Sequence, residues 1–463
     1  MNQTLNLSLD LDPAVRSSAK ALEILAKGRE FRERYIDPSA DEIDKRLLED
    51  PHYHPEKIVA HGCEYGFFSL PVPGFLGGGD ARIFETAVLV EELCAGCAGI
   101  ANIFGAHYLG ISPILMSLDM NLYDRFLYEI VRGEKQCRPV IFSAAVTEPM
   151  AGTDVEDGEF LPTARLTASA KRVEGGFVLN GSKVFISNGS VADYNVIICA
   201  IDKSRPVETW SAFVVPADST GFKVGRVELK MGQRACHAAE LVFEDCFVPA
   251  CNQVGVEGRA MEATDLILAA SRAPVGAIAT GIARGAFEKT ITFCRARRSG
   301  GGRLIDRQWV QMALADMASR IQLSRKAYLD AADLFDSFVI EPLLGSTKLL
   351  QPLLKAFTPL RRTSAGLKMT SRAALKRRAS DFATSKIDQV MVGRSLGLSS
   401  LAKFSCSDNA IKVCLKAIEV LGHEGAEERC RVEKYLRDAK LTQIYEGTNQ
   451  LNRYETFKKL LGS

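Results

Sequence analysis

Apolar positions in the first part of the chain recur at helical spacing. Ala14, Ala21, Leu22 and Leu25 share a face with Ser18, and Ile83, Val90 and Leu93 repeat the period further on. The pattern predicts helices over residues 13–133, interrupted by a loop where Pro71-Val-Pro-Gly74 is followed by Gly77-Gly-Gly79. From residue 139 to residue 255 the period changes to short runs of Val, Ile, Phe and Thr between Gly-Gly, Asn-Gly and Asp-Ser turns. Gly176-Phe-Val-Leu179, Asn195-Val-Ile-Ile-Cys199, Ser211-Ala-Phe-Val-Val215 and Ala239-Glu-Leu-Val-Phe243 read as antiparallel strands. Helical patterns then return over residues 270–297, 306–335 and about 399–421, with a last helix at the C-terminus. Gly276, Gly281 and Gly285, set among alanines in the first of these, predict close approach of a second helix.

Segregation of helices, strands and helices along the chain predicts an α+β multidomain protein instead of interleaved βαβ units. The expected parts are an N-terminal all-α domain (residues 1–138), a middle antiparallel β-barrel (139–257) and a C-terminal four-helix bundle (258–463). One stretch, about residues 336–395, does not fit the bundle. Within it, residues 342–394 hold eleven Lys and Arg against only Asp381 and Asp388, and Gly345, Pro352, Pro359 and Gly366 break any long helix. It reads as an insertion between two bundle helices.

Composition adds limits. A chain of 463 residues with 47% hydrophobic content exceeds one ordinary core and is not disordered. Its formal charge of +2 argues against a whole-molecule nucleic-acid binder, but the insertion's eleven bases and two acids make +9 and leave −7 elsewhere. The twelve cysteines sit singly in apolar runs without metal-type spacing, which predicts buried thiols and a reducing compartment. No Lys or Arg occurs in the first fifteen residues, and no apolar run approaches the roughly 18 residues of a membrane span. The expected location is the cytoplasm.

Three short runs carry candidate chemistry. Tyr445-Glu-Gly-Thr-Asn-Gln450 follows a helical run; Glu446 there is either a solvated helix-end carboxylate or, with Tyr445 and Gly447 beside it, one turned into a dry pocket with a raised pKa. Val146-Thr-Glu-Pro-Met-Ala-Gly-Thr-Asp154 is a turn whose hydroxyls and free N–H groups suit a polar ring edge or a phosphate. Asn180-Gly-Ser-Lys-Val-Phe-Ile-Ser-Asn-Gly189 sets an aromatic and a hydroxyl behind a hairpin turn.

Taken in order, these runs and Met231-Gly-Gln-Arg234 with Val242-Phe-Glu-Asp-Cys-Phe-Val-Pro249 resemble the motifs of the acyl-CoA dehydrogenase family, over nearly the whole chain except the insertion. The resemblance implies the same three-part fold, a homotetramer or homodimer, bound FAD, an acyl-CoA substrate and an electron-transferring flavoprotein or similar acceptor. The implied reaction oxidises the thioester to the trans-2-enoyl-CoA, a base taking the α-proton while the β-hydride leaves for flavin N5. Such a base is a carboxylate held out of water, and the matching position is Glu446. Some relatives carry the base immediately before an Arg matching Arg272; here that residue is Ser271, which cannot serve. The main-chain N–H of Glu446 is implied against the thioester oxygen.

For the flavin the resemblance implies Val146, Thr147, Gly152, Thr153, Phe185, Ile186, Ser187, Thr448 and Gln450, and across the subunit interface Arg297, Gln308, Glu419 and Gly422. For the substrate it implies Thr153, Arg272, Tyr445 and Gly447, with Arg272 either a bundle ion pair or a buried cation orienting the site. No metal is implied. Three departures stand out: Gly300 where the family has Phe, Glu419 where it has Gln, and His423 in its Gly-rich turn, read as a surface residue. Glu419 would repel a diphosphate unless a cation neutralises it. The run Cys94-Ala-Gly-Cys-Ala-Gly-Ile-Ala101 either opens room for a bulky acyl group or packs helices tightly. A same-fold flavin oxidase or monooxygenase and a non-catalytic acyl-CoA-binding scaffold are the alternative functions. The basic insertion is a solvated decoration, a docking surface for an acidic electron acceptor, or a peripheral contact with anionic lipid.

Overall fold

The computed structural model describes residues 7–343, 351–370, 377–378, 381–382 and 385–462. Leu349, Leu350 and Gly345 of the insertion lie outside them.

Helix α1 (Ala19–Phe31) starts where the Ser18 hydroxyl accepts the Ala21 N–H and buries Ile24, Leu25 and Phe31; α2 (Ala40–Glu49) buries Ile43 and Leu47. Helix α3 (Ile83–Ser117) is apolar on every side and almost wholly buried. It breaks at Cys97 (φ −156°, ψ 111°), which folds its two halves around one space. The small residues at the break pack against protein instead of opening a pocket: a Cβ on Gly96 would lie 2.8 Å from Ile36 Cγ2 in the helical turn Arg32–Ile36, and one on Gly99 3.0 Å from the Ala235 nitrogen in the loop before the strand Ala238–Pro249. After α4 (Tyr128–Lys135) the chain enters the sheet.

Eight strands form one sheet in the order β6-β7-β3-β2-β4-β5-β8, with β1 beside β4. They are β1 (Phe142–Ala145), β2 (Ser169–Val173), β3 (Gly176–Ser187), β4 (Tyr194–Ala200), β5 (Trp210–Pro216), β6 (Phe222–Val227), β7 (Ala238–Pro249) and β8 (Gln253–Val254). The expected closed antiparallel barrel is not found. Among the described residues β6 and β8 are free edges, β8 being only two residues long, and β1 runs parallel to β4. Phe177, Leu179, Phe213, Leu241 and Phe243 fill the inner face. Strand β4 is buried on both faces, because β1 and the sheet's outer side pack on α3.

The bundle comprises α5 (Ala260–Ala296), α6 (Gln308–Phe335), α9 (Gln389–Leu421), α10 (Val432–Leu441) and α11 (Asn449–Thr456). Helix α5 lies between α3 and α9. Its glycines do what their spacing predicts: Cβ atoms at Gly281 and Gly285 would fall 2.5 and 2.4 Å from the Glu91 and Ala95 carbonyl oxygens of α3. The contact also buries charge, Glu91 meeting Arg325 and the Tyr328 hydroxyl while Glu92 meets Arg284 at 2.8 Å. These charges are paired, so losing one partner would leave a buried charge uncompensated. Helices α3 and α5 are each long and apolar enough to cross a bilayer, contrary to the expectation of no such run, yet 94% and 83% of those stretches are buried inside the protein.

The insertion begins later than expected, since residues 336–343 continue α6. Its helices α7 (Gln351–Arg361) and α8 (Ser364–Thr370) are docked on the N-terminal helices. Arg361 grips Asp124 through two hydrogen bonds (2.8 and 3.0 Å), Arg362 lies 3.4 Å over the Tyr128 ring, and the Asn121 amide donates to the Leu367 carbonyl. It is no free decoration. The twelve cysteines are unpaired, and nine are buried. Burial pushes the thiols of Cys199 and Cys406 up to about 12, far from reactivity.

Candidate active site

Glu446 lies in the turn between α10 and α11 with φ 54°, a left-handed conformation rare for a side-chain-bearing residue. Neighbours hold it there. Its main-chain oxygen accepts from Arg272 Nε (3.2 Å) and Asn452 Nδ2 (3.1 Å), while the Asn452 amide also reaches the carbonyls of Gly447 and Thr448. Lys403 donates to the Gly447 carbonyl (2.7 Å) and to Asn449 Oδ1 (3.0 Å). The Glu446 carboxylate accepts one hydrogen bond, from Ser271 Oγ at 2.6 Å. Burial pushes its pKa up, and the Ser271 bond with the Arg272 and Lys403 charges offsets only part of that. Lys403, desolvated beside Arg272, is pushed down to about 7.

The carboxylate opens onto a cavity of about 230 Å³. Val90, Asn102, Ala106, Leu109 and Pro113 of α3 form one wall, and Ile267, Ser271, Pro274 and Ile278 of α5 form another. The third comes from the sheet: Val146 and Thr147 after β1, and Phe185, Ile186 and Ser187 at the end of β3. A buried ion pair sets that wall in place. Lys183 donates to the Val146 carbonyl (2.7 Å) and to Glu148 Oε1 (2.8 Å), and Glu148 in turn accepts the Thr167 and Ala168 N–H groups. The register of β3 against β7 slips between Lys183 and Ile186, leaving Phe185 at φ 59° and 61% exposed. A bulge that re-aims a side chain at the edge of a cleft is a common device at active sites.

An apolar cavity ending on a carboxylate made basic by burial suits removal of a weakly acidic C–H proton. Family models for the acyl-CoA dehydrogenase N-terminal, middle and C-terminal domains match residues 18–134, 143–246, and 260–347 with 361–461. The chain belongs to the acyl-CoA dehydrogenase family. It is 31% identical to cyclohex-1-ene-1-carbonyl-CoA dehydrogenase of Geobacter metallireducens, over 94% of this chain and 96% of that one. It is likewise 31% identical to the short-chain-specific acyl-CoA dehydrogenase of Clostridium acetobutylicum, over 92% and 93%. Among solved structures, butyryl-CoA dehydrogenase of Megasphaera elsdenii superposes with a TM-score of 0.76 at 26% identity, covering 96% and 98%. Membership makes the chain an oxidoreductase acting on acyl-CoA. Residues 348–360, most of α7, fall outside the family models.

Of the residues implied by the family motifs, Val146, Thr147, Phe185, Ile186, Ser187, Tyr445 and Glu446 line the cavity together. Tyr445 is held by Gln233, whose amide donates to the phenol oxygen at 3.2 Å. Arg272 is 1% exposed and stands behind Glu446, bonded also to Ser400 Oγ (2.8 Å). Gly152, Thr153 and Gly447 are outside the cavity lining; Thr448 caps α11 through the Leu451 N–H, and Gln450 is exposed. Arg297, Gln308, Glu419 and Gly422 do not line it either. Arg297 pairs with Glu424 (2.8 Å), next to the exposed Gly422 and His423, and Lys416 neutralises Glu419 at 2.5 Å. Gly300 and Gly301, φ 57° and 82°, form the two-residue turn of a hairpin between β9 (Arg298–Ser299) and β10 (Gly302–Arg303). A turn with two left-handed residues favours Gly-Gly along with Asn-Gly and Asp-Gly, and a Cβ at 300 would fall 2.6 Å from Arg307 Nη2, which accounts for glycine there.

Motif reading missed Lys403, Asn452, Ser400 and Glu156. The first three sit inside helices, where polar residues at helical spacing read as surface. Glu156 lies two residues past Asp154 and reads as part of a turn.

Proposed function

We propose that this chain is an FAD-dependent acyl-CoA dehydrogenase that converts an acyl-CoA to its trans-2-enoyl-CoA with Glu446 as the α-proton acceptor. The observation that carries the reading is the Glu446 carboxylate, made more basic by burial and aimed into an apolar cavity by Ser271. The cavity also suits a flavin: an outward-turned aromatic, Phe185, stands between hydroxyls at Thr147 and Ser187. These residues, with Val146, Ile186 and the loop at Gly152 and Thr153, would hold the ring, and FAD supplies a hydride acceptor there. The protein's own part is to fix the substrate's α-carbon against Glu446 and exclude water. Tyr445 and the apolar residues of α3 and α5 confine the acyl chain, and the Glu446 N–H meets the thioester oxygen, where developing negative charge is stabilised most in a dry site.

The same proposal assigns Arg297, Gln308, Glu419 and Gly422 to the flavin of a second subunit in a homotetramer or homodimer. It takes an electron-transferring flavoprotein as acceptor and the cytoplasm as location. Anaerobic titration with a panel of acyl-CoAs tests it: the true substrate bleaches the oxidised flavin. Glu446→Gln is expected to keep flavin and ligand binding and to lose reduction by at least about 10³-fold, the scale of a positioned general base. Near-normal reduction by that variant would place the base elsewhere.

A further inference from the structure

A second carboxylate lies behind Glu446, unused by the reaction proposed above. Glu156 follows the one-turn helix Thr153–Val155 and borders the same cavity. Its Oε2 is buried without a hydrogen-bond partner, and 3.5 Å away stands Nη2 of Arg272, equally buried and equally unpartnered. The rest of that guanidinium is committed, Nε to the Glu446 carbonyl and Nη1 to Ser400. Gly447 leaves the pair its room. A Cβ at that position would lie 2.9 Å from Glu156 Oε2 and 3.1 Å from Arg272 Nη2.

The other charges around Glu156 come from three elements. Helix α5 brings Arg272 with Asp265, α9 brings Lys403, and the turn before α11 brings Glu446. Its neighbour Asp157 is taken up by Lys458 at 2.6 Å. Arg272 and Lys403 therefore face two carboxylates. Were Glu446 the only anion, both cations would stabilise its ionised form and make it a poor proton acceptor. We propose that Glu156 is a positioning residue for Glu446: it holds the Arg272 guanidinium against the Glu446 main chain and, once ionised, offsets that guanidinium's charge, so that the base is strongest when both carboxyls are ionised. The inference rests on Glu446 being the base. Burial pushes Glu156 itself up to about 7, with Arg272 countering part of the shift and the Glu446 charge adding to it, so Glu156 is neutral on the acid side of neutrality and ionised above it.

The test is the pH dependence of anaerobic flavin reduction by saturating acyl-CoA in wild type, Glu156→Gln and Glu156→Asp, each checked for flavin content. The neutral Gln isostere is expected to abolish the rise in rate that accompanies ionisation of Glu156 near pH 7, leaving the rate at its low-pH level with little change in KM. Asp, its carboxylate drawn back by one methylene, is expected to fall between. If the Gln variant does not fold, Asp alone decides, by a smaller rise at the same step. A uniform loss that leaves the rise near pH 7 in place, or no change at all, overturns the proposal. Full reduction by Glu446→Gln would instead overturn the assignment of the base, whatever Glu156 does.

Discussion

Glu446 and Gly447 are consecutive left-handed residues, φ 54° and 75°, and the two positions answer to different demands. Glu446 bears its strain because Arg272, Asn452 and Lys403 fix the carbonyls around it; strain of about 1–3 kcal/mol is typical of such residues at functional sites. Gly447 has no side chain to strain, but its missing Cβ is the space in which Glu156 and Arg272 meet. Gly447→Ala is therefore expected to destabilise the fold by about 1–3 kcal/mol and to slow flavin reduction by pushing Arg272 off the Glu446 carbonyl. Chemical denaturation and stopped-flow reduction of the same sample check both parts, and an alanine variant with unchanged stability would show the space to be idle. At this scale the motifs in the sequence singled out Glu446 and the cavity wall formed by Val146, Thr147, Phe185, Ile186 and Ser187. They could not name Glu156, Lys403 or Ser400, because a charge or hydroxyl on a helix or in a turn shows no partner until the chain is folded. Ser271 is the instructive case. Its inability to act as a base was plain from its chemistry, whereas its hydrogen bond to Glu446 was not.

Among the elements, helices were easier to anticipate than the sheet. Helical period and the Gly276, Gly281 and Gly285 spacing marked α5 and its close neighbour α3, but whether a sheet closes depends on hydrogen bonds between edges far apart in sequence. The insertion was legible as charge and not as structure. Helix α7 turns Leu354, Thr358 and Arg361 to the protein while Leu353, Phe357 and Leu360 stand 54%, 48% and 63% exposed on the opposite side. Their spacing of four and three residues makes one outward apolar stripe, in a segment that also carries exposed Lys355, Arg377, Arg378 and Lys386. Basic charge beside an apolar stripe suits an anionic lipid surface better than it suits water. Replacing Leu353, Phe357 and Leu360 together by Ser is expected to abolish co-sedimentation with vesicles containing anionic lipid while leaving acyl-CoA oxidation by a dye acceptor unchanged. Retained vesicle binding would defeat this reading. So would binding that never occurs in wild type, and a selective loss of transfer to an electron-transferring flavoprotein would assign the stripe to the acceptor.

At the scale of the whole molecule, polar contacts between the chain's parts add to the shared core, and Asp336 shows how. It ends α6 in the bundle, yet its two carboxylate oxygens accept the Ile83 and Phe84 N–H groups (3.0 and 2.8 Å) that open α3. A carboxylate at a helix N-terminus is favourable, but this one is 2% exposed, and burial outweighs the two hydrogen bonds and pushes it up to about 7. The native state therefore keeps a proton on Asp336 at pH values where the unfolded chain has lost it. Between about pH 4 and 7 native protons outnumber unfolded ones at this site, so its share of the stability is full at the acid end and declines as pH rises. Asp336→Asn removes that dependence along with the carboxyl. The variant should be less stable than wild type at every pH, since the amide can accept only one of the two N–H groups. The gap should be widest near pH 4 and narrow toward pH 7, at its steepest by about 1.4 kcal/mol per pH unit. Urea unfolding of both proteins across that range measures the gap directly, and because every other titrating group is common to the two, their contributions cancel in the difference. A gap that stays constant with pH would mean that Asp336 titrates as an ordinary carboxylate. It would then clamp α3 to the bundle as an anion throughout.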